Sequence, residues 1–289
     1  MKKLILIDGN ALIFRAYYAT CYKKTHSMQN SQGKDVNALI VFIQMFKKIL
    51  AKNQKNNHIC VAFDLKTKTK RHELCEKYKK NRPVTPDSLI QQIKMIKEYL
   101  SLSGIKYYSK ENYEADDIIG TLAQQASNNN ISVVIFSSDK DFLQLIDENI
   151  HVCLIKQGLS KTIYYDIEQL WNEYQLKPNQ IIDFKSLVGD KSDNIEGVLS
   201  IGPKTASKLL NKFDNLENIF NNLEKIEIRI RQKLLEFKER VFLNRLLVSI
   251  DKNVPLDFNY TETKIKKFCV FSLNDFLEKN KIQKNNFIL

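Results

Sequence analysis

Three stretches decide how this chain is read: Leu4-Ile-Leu-Ile-Asp8, His58-Ile-Cys-Val-Ala-Phe-Asp64 and Ile131-Ser-Val-Val-Ile-Phe136. Each is a short apolar run rich in β-branched residues, the pattern of a strand buried on both faces. Residues 35–52, 87–102 and 114–127 carry apolar side chains at helical spacing. The order β-α-β-α-(β)-α-β predicts an α/β domain over residues 1–165 with a mostly parallel sheet and flanking helices. Segments 150–156 and 161–165 flank Gly158 and predict a hairpin at the sheet edge. From about residue 166 the apolar periodicity is helical throughout, so 166–250 forms a second, helical region. The Lys/Asn-rich tail, 251–289, with its apolar island at 268–273, is expected to pack on the core.

The 289 residues suffice to bury a core without disulfides. Lys and Arg number 45 against 33 Asp and Glu, a net charge of +12, which favours a polyanionic partner. Cys21, Cys60, Cys75, Cys153 and Cys269 are scattered with no C-x-x-C pair, which argues against a disulfide framework and a zinc site and fits a reducing cytoplasm. The opening Met-Lys-Lys-Leu-Ile-Leu-Ile imitates a signal peptide, but Asp8 interrupts it, and no stretch is long enough to span a membrane.

Asp8 and Asp64 each close an expected strand; Asp139 lies just past another, with Asp141 after it. Open parallel sheets build their sites at C-terminal strand ends, so these acids should converge. Glu114, Asp116 and Asp117 open the helix at 114, where helix capping competes with ligation. Asp190 and Asp193 add two acids around a turn, with an Asx-turn as the structural alternative. So many carboxylates without basic side chains among them would repel one another unless divalent cations neutralise them. Oxygen-only ligands select Mg²⁺ or Mn²⁺, and more than four acids suggest two ions, the set that phosphodiester hydrolysis uses.

The run Gly197-Val-Leu-Ser-Ile-Gly202-Pro203-Lys204 reads as a turn leading into a helix with proline at its first position. Its start, with Lys204, Lys208 and Lys212, suits a phosphate. Residues 66–83, KTKTKRHELCEKYKKNRP, form a basic bridge that begins two residues after Asp64, with Tyr78 placed to stack on a base. Taken alone, such a run is more often a solvated face.

With these motifs in order, LIDGNALIFRAYYA, VAFDLKTKTKRHE, YKKNRP, YEADD, SSDKDFLQL and GDKSDNIEGVLSIGPKTASKLL, the chain resembles the 5′-3′ exonuclease domain of bacterial DNA polymerase I and the flap endonucleases over most of residues 3–250. The resemblance implies a PIN-like sheet, a helical arch at about 66–86 and a helix-hairpin-helix in 166–250. It implies metal ligands at Asp8, Asp64, Glu114, Asp116, Asp117, Asp139, Asp141, Asp190 and Asp193. Arg15, Arg71, Lys79 and Arg82 would lie near the scissile phosphate. DNA contacts would come from Tyr78, Lys80, Gly197, Ser200, Ile201, Gly202, Lys204, Thr205 and Lys208, with K⁺ at the hairpin. Lys70 stands where the family usually has an aromatic, and Ser200 where its hairpin usually has glycine.

The implied activity is metal-dependent 5′-3′ exonuclease and 5′-flap cleavage of DNA and primer RNA in replication and repair, through metal-activated water. It would be a cytoplasmic, stand-alone monomer acting on flaps, 5′ ends and RNA primer-DNA hybrids. Two other readings compete: a non-catalytic DNA-binding protein, against which the carboxylates speak because acids weaken DNA binding unless cations occupy them, and a PIN-like ribonuclease, which leaves the hairpin without a use.

Overall fold

The computed structural model describes residues 3–20, 28–51, 53, 58–157 and 161–282. Met1, Lys2, Cys21 and Gly158 lie outside them. The first half runs β1 (Lys3–Asp8), α1 (Gly9–Tyr18), α2 (Asn37–Ala51), β2 (His58–Ala62), α3 (Lys70–Leu74), α4 (Asp87–Leu102), β3 (Lys106–Tyr108), α5 (Ala115–Ser127), β4 (Ser132–Ser137), β5 (Ile150–Gln157) and β6 (Lys161–Tyr165). The strands form one sheet in the order β3-β2-β1-β4-β5-β6. All neighbours are parallel except β5 and β6. The 150–165 hairpin is present, but β5 also pairs in parallel with β4, so of the two hairpin strands only β6 lies at an edge.

Both faces of the sheet are apolar, which explains runs with no polar alternation. Ile5, Ile7, Ile59, Val61 and Val134 face α1, α2 and α4, whereas Leu4, Leu6, Val133, Ile135 and Val152 face α5 and the helices that follow β6. α1 was not legible as a helix from its sequence. It turns off β1 at Gly9, where a Cβ would lie 2.3 Å from the Phe63 ring and 2.8 Å from the Ala62 carbonyl oxygen. Only glycine lets the chain leave the strand so close to β2, and that turn aims Asp8 past the sheet edge.

The helical region comprises α6 (Ile167–Tyr174), α7 (Gln180–Val188), α8 (Pro203–Phe213), α9 (Leu216–Asn221), α10 (Ile228–Glu236) and α11 (Lys238–Val248). Its apolar faces share one core with the sheet, joining Leu187, Leu210 and Val241 to Ile135 and Leu154. Within residues 251–282, α12 (Val270–Lys279) buries Leu273, Phe276 and Leu277 beside α4.

Between α7 and α8 the chain makes a tight reversal. Val198 N–H donates to Leu187 O at 2.8 Å, and a Cβ on Gly197 would lie 2.3 Å from the Val188 carbonyl. Ser200 takes the position usually given to glycine at φ 68°, in the left-handed region that costs an L-residue about 1 kcal/mol. Ser200→Gly should therefore raise the unfolding free energy by up to about 1 kcal/mol, net of the freedom glycine gains when unfolded. Urea denaturation of the two proteins measures this, and the sign is the informative part.

Candidate active site

Beyond the C-terminal ends of β1, β2 and β4 lies a cavity of about 660 Å³ lined by Asp8, Asp64, Asp116, Asp139 and Asp190, with Lys79, Arg82 and Lys185 at its wall. Asp8 ends β1, and Asp64 stands two residues beyond β2. Asp139 follows β4 and Asp116 sits in the first turn of α5. The expected convergence of strand-end acids on one crevice is thus present.

Each inner carboxylate is held by a local bond. Asp8 caps α1, its Oδ1 accepting from Ala11 N at 2.9 Å and its Oδ2 from Ser137 Oγ at 2.7 Å. Asp64 accepts from Ala115 N and from Asn10 Nδ2, both at 2.7 Å. Asp139 accepts from Asp141 N at 2.9 Å and caps the 3-10 turn Lys140–Leu145. Three helical N-termini therefore point their amides at the crevice, an arrangement that favours negative charge.

That help is insufficient. Burial, reinforced by Asp64 and Asp139, pushes the Asp8 carboxyl up to about 6 even though Ala11 and Ser137 pull the other way. Burial together with Asp8 and Asp139 raises Asp116 well above the usual carboxylate range. Asp139 is raised too, chiefly by burial and despite Lys185. Solvent loss and like charge together leave a crevice short of positive charge.

The other acids are engaged elsewhere. Asp117 receives Arg71 on both oxygens, at 2.7 and 2.8 Å, and accepts from Glu114 N at 3.1 Å and Asp251 N at 2.9 Å. It does not line the cavity, and capping with ion pairing occupies both of its oxygens. Glu114 accepts from Arg71 at 3.3 Å, Tyr78 Oη at 3.1 Å and Lys79 at 2.8 Å. Asp193 receives Arg82 at 2.6 Å and Tyr78 Oη at 3.2 Å. Neither Glu114 nor Asp193 lines the cavity. Asp190 does, with Oδ1 in the Asx-turn, accepting from Ser192 N at 2.8 Å and Ser192 Oγ at 2.6 Å.

Basic side chains stand among the acids after all. Lys185, on α7, pairs with Asp141 and, at 2.6 Å, with Asp190. Among the described residues no three acids already stand together at the spacing of a metal site. Asn10, Ser137 and Lys185 take up their oxygens instead. None of these three was singled out in the sequence: Asn10 and Ser137 adjoin strand-end acids, which is a usable signal, whereas Lys185 is one more polar position on an amphipathic helix.

The basic bridge is only partly helical. α3 spans five residues, and the segment is stitched down rather than free-standing. Arg71, expected beside a phosphate, is 8% exposed and spends its donors on Asp117, Glu114 and the carbonyls of Leu247 and Ser249. Tyr78, expected to stack on a base, is 3% exposed with its hydroxyl on Glu114 and Asp193. Arg15 donates to Lys156 O at 2.8 Å and lies off the cavity. Lys79 and Arg82 do reach it, and Lys80 is exposed. Burial works against the Lys79 ammonium, but Glu114 and Asp193 outweigh it and hold its pKa above the usual value. Lys70, in place of an aromatic, lies 4.3 Å over the Tyr113 ring.

At the hairpin, Ser200, Gly202, Lys204 and Lys208 are exposed and Thr205 half-buried. Ile201 is buried and its N–H donates to Val198 O at 3.0 Å, so it braces the turn. Gly197 is likewise required by the approach to Val188.

Residues 3–175 match the family model described as 5′-3′ exonuclease, N-terminal resolvase-like domain, and residues 176–270 match 5′-3′ exonuclease, C-terminal SAM fold. The chain belongs to the 5′-3′ exonuclease family. This exonuclease-family chain is 38% identical over 273 residues to a 5′-3′ exonuclease of Buchnera aphidicola, covering 92% of each. It is 37% identical to DNA polymerase I of Bacillus subtilis over 268 residues, but spans only 30% of that protein's length. Its fold is that of bacteriophage T5 5′-exonuclease, solved with divalent metal ions (zinc), at TM-score 0.72 and 20% identity over 96% of this chain and 99% of that one. T5 D15 flap endonuclease, solved with DNA and metal ions, gives 0.71 at 21% identity over 96% of this chain and 99% of that one. The Rad2 catalytic core, in complex with DNA substrate, gives 0.62 at 18% identity over 96% and 87%.

The inner and outer acids should respond differently to neutralisation. A carboxyl raised on folding binds more protons in the folded state, so its contribution to stability is present at low pH and lost as pH climbs from the usual 3.8 through about 6. Asp8→Asn should thus raise the unfolding free energy in chelator at pH 7.5, by an amount on the order of 1–3 kcal/mol, with no gain near pH 4. Asp117→Asn, which strips Arg71 of its buried partner, should lower it by about 3 kcal/mol at pH 7.5. Calorimetric melts across pH test both signs.

Proposed function

We propose that this chain is a divalent-metal-dependent 5′-3′ exonuclease and 5′-flap endonuclease acting on DNA and primer RNA in replication and repair. The observation that carries the reading is the crevice of five aspartates, of which Asp8, Asp116 and Asp139 are held above the usual carboxylate range, with Lys79, Arg82 and Lys185 at its wall. The donors are all hard oxygens, so the residues fit Mg²⁺ or Mn²⁺. Asp8, Asp64, Asp116, Asp139 and Asp190 would hold two ions, with Asp141 beside them. Bound there, such ions supply a water of lowered pKa and counter-charge for the leaving oxygen. The T5 enzymes solved with metal ions and the Rad2 core solved with DNA support this reading.

The protein's own groups supply the rest. Lys79 and Arg82, positioned by Glu114 and Asp193, would offset charge on the phosphoryl oxygens. Lys204 and Lys208 on α8 would bind duplex phosphates without regard to sequence, a K⁺ ion at the hairpin assisting. Ser138 and Ser192 line the cavity with no histidine or cysteine among its described residues. A side-chain nucleophile with a general base is therefore not part of the scheme. The protein would work as a cytoplasmic monomer on flaps, 5′ ends and primer hybrids.

The test is cleavage of a labelled 5′-flap duplex, single-stranded RNA and blunt duplex, with Mg²⁺ and with EDTA. Metal-dependent cutting at the flap junction is the expected result, whereas faster cutting of the RNA would make the protein a ribonuclease. Absence of metal-dependent cutting on every substrate would leave only the DNA-binding reading. Asp139→Asn should abolish turnover, a loss of at least about 10²-fold, while DNA binding in EDTA is retained.

A further inference from the structure

Lys185 stands at a boundary. Its ammonium lies 2.6 Å from Asp190 Oδ2 and pairs with Asp141 Oδ1, with its side chain 13% exposed. The same residue lines both the acidic cavity and a second groove of about 670 Å³, whose wall includes Tyr174, Phe184, Lys204 and Lys208. Each of the two residues it joins is also held by a bond of its own. Asp190 is fixed through its other oxygen by Ser192 N and Oγ, at 2.8 and 2.6 Å. Asp141 has its backbone held by its own N–H, which donates to Asp139 Oδ1 at 2.9 Å, while its carboxylate pairs with Lys185. Lys185 therefore bridges two carboxylates whose oxygens are the donors a small hard cation takes.

We propose that Lys185 is an exchangeable internal cation: it neutralises Asp141 and Asp190 until a divalent ion takes its place, and the displaced ammonium then serves a backbone phosphate in the adjoining groove. The inference rests on the metal-dependent nuclease reading and adds a coupling to it. An ammonium and a divalent ion cannot share the space, so the ion must compete with Lys185, and its affinity is lower than the carboxylates alone would give. The four-carbon stem lets the ammonium leave without moving α7. Once free, it joins Lys204 and Lys208, and one more phosphate can be neutralised. Ion and nucleic acid must then each strengthen the binding of the other by the same factor.

Calorimetric titration of the full chain with Ca²⁺ alone, in place of a hydrolysis-supporting ion, tests the competition. Lys185→Met should bind the weaker ion at least about tenfold more tightly than wild type, and Lys185→Arg should not, because removing a charge at contact distance is worth at least that much. Anisotropy with a 5′-flap duplex tests the coupling. Ca²⁺ should tighten wild-type binding more than that of Lys185→Met, and the wild-type salt slope in Ca²⁺ should be steeper by about 0.9.

A third measurement needs no variant. Amine acylation of wild type, mapped by mass spectrometry, should label Lys185 slowly in EDTA and several-fold faster in saturating Ca²⁺. If the ion binds while Lys185 labelling and Lys185→Met affinity stay unchanged, the exchange is wrong and the nuclease reading survives. If wild type takes up no divalent ion at millimolar concentration, both fall.

Discussion

Placing carboxylates beyond the ends of three parallel strands sets a free-energy cost that the surrounding structure must offset. Coulomb repulsion and lost hydration act together there: burial is the largest influence on Asp8, Asp116 and Asp139 alike, with neighbouring aspartates adding to it. The fold offsets part of this with helix starts. α1 is capped by Asp8, α5 opens beside Asp116, and the 3-10 turn is capped by Asp139. The remainder calls for mobile cations, which on the proposed reading would bring a phosphodiester with them.

A second ring of acids works in the opposite sense. Glu114, Asp117 and Asp193 are saturated by Arg71, Tyr78, Lys79 and Arg82, and so act as anchors for the basic segment. Arg71 also ties the segment to the end of α11 through Leu247 and Ser249, joining the sheet domain to the helical region at one guanidinium. This division of labour lets the protein hold many carboxylates near one another without all of them being ligands. Asp8, Asp116 and Asp139, facing the crevice, are short of positive charge, whereas those behind it are neutral pairs.

Much of this was legible in the sequence. The mostly parallel sheet followed from apolar runs without alternation, and α4 occupies the expected 87–102. The crevice followed from aspartates at strand ends, since strand direction alone fixes where such side chains emerge. What could not be read was orientation around a helix. Asp116 and Asp117 are neighbours in sequence, yet one faces the cavity and the other Arg71, because successive helical residues diverge by about 100°. Tyr78 looked like a stacking residue only because its partners, Glu114 and Asp193, are 36 and 115 positions away. The interior placement of β5 was hidden for a similar reason, since a hairpin signal reports one neighbour of a strand and not the other.

Anomalous diffraction from crystals soaked in Mn²⁺ addresses the central claim most directly. A cation-deficient crevice predicts Mn²⁺ peaks among Asp8, Asp64, Asp116, Asp139 and Asp190, and none at the Arg71–Asp117 pair. A crevice without any peak, or with peaks only at the outer acids, would contradict the account.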